Sequence, residues 1–359
     1  MEENKIKYLI NVFQKSDIQA SEGKEVGNVP FYTSSQELCL YFSKALFPAN
    51  SITMGTGGCA CVNYSDIPFA TSTDCFNFNC NDKCFTKFMF YWIYCQLDKV
   101  DDLYFWGMGL KHLQKPMFCD QHIILPPIQQ QIEIVKFLDE KTSTIDKLVL
   151  NLETQIEQLR KYKISAISEY LQGRTENLYK IKFKNFIIDE KCDQHGLSYF
   201  ALENLVSNSG AFIETSSNYS SEGAFICKRG DICFGKLRPY LRKFYLVPDD
   251  TTCSTEIAVF REKESTKYLY YILQSEEFIQ KCNAFSEGTK MPRINIEEIK
   301  NWKFYYPNVA ERIAFVEKME KLEKSIETLI GIKQKKINEL KLYKKSLIYE
   351  NVIFTKEVI

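Results

Sequence analysis

At 359 residues, 45% of them hydrophobic and 26% charged, the chain is too long for a single core and too apolar for a disordered segment, so two folded units are expected. Its 46 Lys and Arg balance 46 Asp and Glu, which excludes a uniformly basic nucleic-acid coat and leaves any basic surface to be sought locally. No apolar run approaches the roughly 18 residues of a membrane span and Met1–Asn11 lacks the features of a signal peptide; a soluble, cytoplasmic protein with no membrane partner and with free thiols among its 13 cysteines is expected.

The first stretch, 1–125, is rich in β-branched and aromatic runs broken by Gly, Asn, Asp and Ser, which predicts a mixed α and β domain. It offers few arginines. Its candidate contacts are Thr33 and Ser34 in a hydroxyl-rich turn, Thr56 in the run Gly55–Gly58, and Lys111 beside His112, because hydroxyls, backbone amides and cations all suit phosphates or base edges. The glycine run lacks the Gly-Lys-Ser/Thr ending of a phosphate loop, and no helical pattern follows it. Cys59, Cys61, Cys75, Cys80, Cys84 and Cys95 crowd the same stretch and Cys119 precedes His122, yet the spacings form no paired set, so structural thiols and no metal site are expected.

From Pro126 the pattern changes. Ile128, Ile132, Val135, Leu138, Ile145, Leu148, Leu152, Ile156 and Leu159 recur at three- and four-residue steps, a helix with an apolar seam that Pro126 and Pro127 introduce and Gly173 ends. About 45 residues at 1.5 Å each make roughly 68 Å, far beyond an ordinary globular helix. The partner is written into the chain, because 126–171 aligns without a gap with 307–352 at an offset of 181, pairing Ile132 with Ile313, Ile156 with Ile337, Tyr162 with Tyr343 and Lys163 with Lys344. In the second copy the seam is Val309, Ile313, Val316, Met319, Leu322, Ile326, Leu329, Ile337 and Leu340. Fainter matches join the stretches before the helices: Ile52, Met54 and Gly55 with Ile232, Phe234 and Gly235; Thr73 and Asp74 with Thr255 and Glu256; Gly109 and Lys111 with Gly288 and Lys290. The expected fold is therefore α+β: two mixed domains, 1–125 and 175–306, separated by two long antiparallel helices, 126–174 and 307–359, packed as a coiled coil under a pseudo-two-fold internal repeat.

In the second domain Phe225–Cys227, Ile232–Phe234, Phe244–Val247 and Ile257–Phe260 are predicted strands, and Lys267–Lys281 a helix. Between Lys228 and Tyr245 six cations stand against one acid, Asp231, and interleave with aromatic residues. Lys236, Arg238, Tyr240, Arg242 and Lys243 are the candidate reading residues, since the arginine fork matches guanine edges and phosphates and lysine suits phosphates. Lys290 and Arg293 form a second basic loop after Gly288. The bland alternative is a solvated hairpin face. Basic loops repeated on a repeated scaffold suit a ligand made of two half-sites, such as duplex DNA. Catalysis finds no support: His112, His122 and His195 are scattered, none is set beside a Ser or Cys as a nucleophile's base, and nothing calls for a cofactor.

Leu125–Val135, with its Leu-Pro-Pro opening and Gln-Ile continuation, Phe234–Lys243, Gly288–Arg293 and Lys345–Glu350 together resemble the specificity subunits of Type I restriction-modification enzymes. The resemblance covers essentially the whole chain. It implies a non-enzymatic DNA-binding subunit in which 1–125 and 175–306 are target recognition domains, each reading half of a split double-stranded target, with the helices as conserved spacers. It also implies methyltransferase subunits, two of them, docked on this framework, and restriction subunits joined through the complex. Tyr306–Glu311 is a weaker copy of the Leu-Pro-Pro signature. The competing class is a non-catalytic helical scaffold that binds proteins and no specific DNA.

Overall fold

The computed structural model describes residues 2–35, 40–172, 180–191, 197–214, 224–264 and 267–353. The helix stop at Gly173, the domain start at Thr175 and His195 lie outside the described residues. The chain forms two compact units, one of 1–151 with 335–359 and the other of 152–334. The division falls within each long helix, at neither of its ends, so each unit owns one globular part and half of each helix.

In the first unit a four-stranded antiparallel sheet runs in the order Ile10–Val12, Cys75–Cys80, Ser51–Gly55, Val62–Ser65. Ser51–Gly55 is buried along its whole length, as a central strand covered on both faces must be. A second sheet orders Leu40–Phe42, Val29–Tyr32, Ala70–Thr71, the last two parallel. Ile52, Met54, Phe76 and Phe78 meet Phe88, Met89 and Trp92 of the helix Thr86–Tyr94, and the same core takes in Val135, Leu138, Ile348 and Val352 from the two long helices. Further along the first helix Asp146 pairs with Lys344, so residue numbers rise on one helix as they fall on the other and within this unit the helix halves are antiparallel.

The second unit repeats the design. Its four-stranded sheet is ordered Ile187–Ile188, Ile257–Phe260, Ile232–Gly235, Phe244–Leu246, again antiparallel throughout. Its three-stranded sheet is ordered Tyr199–Phe200, Thr251–Cys253, Phe225–Cys227, again with one parallel pair. Ile232, Phe234, Phe244 and Phe260 pack on Tyr268, Leu269, Ile272 and Phe278, joined by Ile167, Phe315, Val316 and Met319 of the long helices. The predicted helix over Lys267–Lys281 is in fact two, Tyr268–Leu273 and Glu276–Ala284. Ser275 separates them: its hydroxyl accepts from the Phe278 amide, an N-cap that starts the second helix where the first stops.

The long helices are Ile128–Gln172 and Val309–Val352. Their buried stripe is narrower than the predicted seam. In the first helix Val135, Leu138, Thr142, Ile145, Val149 and Ile156 are buried, at steps of three, four and seven, while Ile128, Ile132 and Leu148 are exposed. In the second, Val309, Ile313 and Leu329 are exposed at the matching positions. Among the described residues no helix is long and apolar enough to cross a membrane.

A buried polar latch begins each helix. Gln131 has no exposed surface; its carbonyl accepts from the Phe85 amide at 2.8 Å, and its amide donates to the carbonyls of Pro126 at 2.8 Å and Lys83 at 3.2 Å. At the equivalent place Arg312 donates to the Pro307 carbonyl at 3.2 Å and pairs with Glu264. Replacing Gln131 with Ala strands a buried amide and carbonyl, and is expected to destabilise the first unit by about 1–3 kcal/mol. Urea titration followed by near-UV circular dichroism reads this; an unchanged midpoint would show that the latch contributes nothing.

Candidate nucleic-acid interface

The candidate edge of the second unit starts where Ile232–Gly235 leaves the sheet. The chain passes close to its neighbours at Gly235, where a Cβ would lie 2.5 Å from Leu202 Cδ2 and 3.3 Å from Lys243 Cβ, so the Leu202 side chain would have to move. Beyond it the chain is clamped to the hairpin formed by Ser286–Glu287 and Arg293–Ile294. The Lys236 amide donates to the Glu256 carbonyl at 2.9 Å, and the Ile294 amide donates to the Lys236 carbonyl at 3.0 Å. Leu237 bridges Arg293, and the Arg238 amide donates to the Pro292 carbonyl at 2.6 Å. The two basic stretches of the sequence thus become one edge.

The first unit builds the same clamp from different side chains. Thr56 donates its amide to the Asp74 carbonyl at 2.9 Å, Leu113 donates to the Thr56 carbonyl at 3.0 Å, Gly57 bridges His112, and Gly58 donates to the Lys111 carbonyl at 3.0 Å. Position by position, Thr56 stands for Lys236, Gly57 for Leu237, Gly58 for Arg238 and His112 for Arg293. Gly58 and Arg238 share positive φ, +84° and +50°. Glycine takes that conformation freely, whereas an arginine there is strained, by about 1 kcal/mol or more.

The hairpin register corrects one sequence pairing. Phe105–Trp106 pairs with His112–Leu113 as Ser286–Glu287 pairs with Arg293–Ile294. Both connecting loops then have five residues, which sets Gly107 opposite Gly288 and Lys111 opposite Pro292, two residues away from the pairing of Gly109 and Lys111 with Gly288 and Lys290. A Cβ on Gly107 or on Gly288 would crowd the equivalent carbonyl, Leu110 O at 2.4 Å or Met291 O at 3.2 Å.

The candidate side chains divide sharply. Lys290 and Tyr240 are exposed, and Arg293 is half exposed, with Nη1 3.1 Å from Glu256 Oε1. Arg238 is partly covered and donates to the Lys290 carbonyl at 3.2 Å, bracing the hairpin tip. Arg242 turns inward: it is 9% exposed, donates to the Gln274 carbonyl at 2.9 Å and pairs with Glu276. Arg242, expected to face a base, has a positive φ of +48° and its guanidinium lies against Gln274, the C-cap of Tyr268–Leu273. Lys243 likewise donates to the Leu202 carbonyl at 2.6 Å. Lys236 is 9% exposed, and burial together with neighbouring Arg293 pushes its ammonium below the ordinary lysine range. In the first unit Thr33, Ser34 and Thr56 are half-buried, with Ser34 donating to the Asp74 carbonyl at 2.8 Å. Lys111 is exposed and pairs with Asp101 at 2.9 Å, which raises its pKa, while Asp101 also accepts from the Ala60 amide at 2.7 Å.

Sequence reasoning passed over the apolar hairpin tips. Met108 is fully exposed, and Trp106, Leu110 and Met291 are each about half exposed. The signal was present, as apolar residues in five-residue loops bounded by glycine that have no seam to join. Also unanticipated is a convergence of Cys227, Cys233 and Cys253, the one group of three metal-ligand-type side chains found among the described residues.

The chain matches the family model described as Type I restriction modification DNA specificity domain twice, over 1–158 and 160–342. It is 27% identical over 290 residues to the Type I restriction enzyme MjaVIII specificity subunit of Methanocaldococcus jannaschii, a match covering 70% of this chain and 65% of that protein. A chain solved for the structural basis of complex assembly and conformational transition of the type I R-M system aligns over 98% of this chain and 97% of its own, with TM-score 0.66 at 11% identity, a likeness of fold. The S subunit of a Type I restriction-modification system from M. genitalium aligns over 99% and 96%, with TM-score 0.45 at 13% identity. With two successive matches spanning nearly its whole length, the chain belongs to the family of Type I restriction-modification DNA specificity domains.

Proposed function

We propose that this chain is the sequence-reading subunit of a Type I restriction-modification system, binding a bipartite double-stranded DNA target with 1–125 and 175–306 as its two target recognition domains and performing no chemistry itself. One observation carries this reading: the same backbone clamp occurs in both units and presents Thr56, Gly57 and His112 in one and Lys236, Leu237 and Arg293 in the other. A constant frame with exchanged side chains is what reading two different half-sites demands, because position is set by the frame and base preference by the side chains. We assign direct contact to the exposed Lys290, Arg293 and Tyr240 and, in the first unit, to Lys111, Thr56, Thr33 and Ser34. Arg238, Arg242, Lys236 and Lys243 shape the edge from beneath.

The partner reading rests on the helices. The first unit exposes Ile128, Ile132, Leu148 and Tyr343, and the second exposes Val309, Ile313, Leu329 and Tyr162, the same four repeat positions each time. Apolar groups kept in water twice at matching positions suit a partner bound twice. We assign the opening turns of the helices, where Ile128 with Ile132 and Val309 with Ile313 are exposed four residues apart on one side, to two methyltransferase subunits, with restriction subunits joining through the complex.

Binding to duplex DNA carrying the target is expected to weaken steeply with salt. Lys290→Ala should reduce the salt slope by about one, and Arg293→Ala should weaken specific binding by about 1–3 kcal/mol and relax one base position. Arg242→Ala should instead lower the melting temperature and leave the slope unchanged. A well-folded complex with no salt-dependent DNA affinity would replace this reading with that of a protein-binding scaffold. Ile132→Asp is expected to remove one methyltransferase subunit from the assembly, read as a mass loss by native mass spectrometry. Retention of both would contradict the docking assignment.

A further inference from the structure

Between the two sheets of the second unit three strands each turn one sulfur to a common point. Cys227 ends Phe225–Cys227, Cys253 ends Thr251–Cys253, and Cys233 lies in Ile232–Gly235 of the other sheet. None of the three has exposed surface, and their Sγ atoms all lie within 4.8 Å of one another. Cys227 Sγ and Cys233 Sγ are 3.6 Å apart. Thiolates bound to one metal at about 2.3 Å sit about 3.8–4.0 Å from each other, so the sulfurs already stand near the separation that a shared ion imposes.

We propose that Cys227, Cys233 and Cys253 form a binding site for a divalent thiophilic d10 cation of the zinc class, a metal staple that joins the two sheets beneath the reading edge of the second unit. Soft sulfur donors without a carboxylate or imidazole among them select such a cation over calcium or magnesium. Binding forms three metal–sulfur bonds and releases three thiol protons to solvent. Three thiolates and a dication leave one negative charge, and the buried Lys236 ammonium, within electrostatic reach of Cys253, offsets it. Burial alone does not explain the cluster. The paired strands set Thr53 at the position of Cys233 and Thr71 at that of Cys253, and in the first unit Asn77 donates to Thr71 Oγ1 at 2.9 Å. The shared fold thus takes threonine at two of these positions in the first unit and cysteine at both in the second.

The staple has a local consequence. Cys233 is three residues before Lys236, and Cys253 is three before Glu256, whose carbonyl receives the Lys236 amide. An ion fixing both strands therefore fixes the root of the clamp.

The test loads the reduced full-length chain with Zn2+ under anaerobic conditions, removes loose metal with a competing chelator, and reads stoichiometry and X-ray absorption at the zinc edge. One zinc per chain with three sulfur neighbours is expected, along with a higher melting temperature. Cys59→Ser and Cys119→Ser should keep the zinc, and the triple variant C227A/C233A/C253A should lose it. The absorption spectrum of the wild type decides the matter even where the triple variant fails to fold. No zinc retained, a zinc shell without three sulfurs, or a Cys227–Cys233 disulfide in the purified protein would overturn the proposal.

Discussion

A pair of backbone hydrogen bonds at the root of each hairpin sets the frame that carries the candidate contact side chains of both units. In one unit the Lys236 carbonyl accepts from Ile294 while its amide donates to Glu256, and in the other Thr56 does the same between Leu113 and Asp74. A residue held at both ends by main-chain partners sits at a set depth whatever its side chain, which frees that side chain to vary. The clamp in turn needs a rigid sheet behind it. That rigidity comes from central strands buried along their length and packed on aromatic cores that both long helices help to close.

The cost of variation falls on the backbone at one place. Gly58 occupies the left-handed region without strain, and Arg238 occupies it with strain, so the second unit spends stability to bring a guanidinium under its hairpin tip. The return is bracing. Arg238 binds the Lys290 carbonyl, Arg242 binds the end of a helix, and Lys243 binds the Leu202 carbonyl. Four of the six cations in the most basic stretch, Lys236, Arg238, Arg242 and Lys243, are therefore buried or half-buried, Lys228 and Arg229 stay exposed, and the exposed cations at the hairpin itself come from the shorter loop 288–293.

Repeat and seam were legible because periodicity survives in one dimension: an offset of 181 residues and three- and four-residue steps need no coordinates. The four strands expected around Ile232 and Phe244 were legible for the same reason, since β-branched and aromatic runs bounded by Gly and Asp have few other homes. What one dimension hides is direction. Leu148 and Val149 are neighbours in sequence, and only the heptad phase of the folded pair buries one and exposes the other. Arg242 and Arg293 look alike in the sequence, yet the first is buried against Gln274 and Glu276 and the second is half exposed. The pairing of Lys111 slipped by two residues because loop lengths, not residue identity, set the hairpin register. Cys227, Cys233 and Cys253 converge through three strand pairings, which leave no spacing motif to read.

The proposed bipartite reading, with a clamp and a core in each unit, requires that the two halves of the target be read independently. The most direct test exchanges 175–306 for the corresponding stretch of a related subunit and sequences the methylome of a host carrying the hybrid with its methyltransferase. A split motif in which one half changes and the other stays as in the parent is the predicted result. A motif altered in both halves would contradict the account.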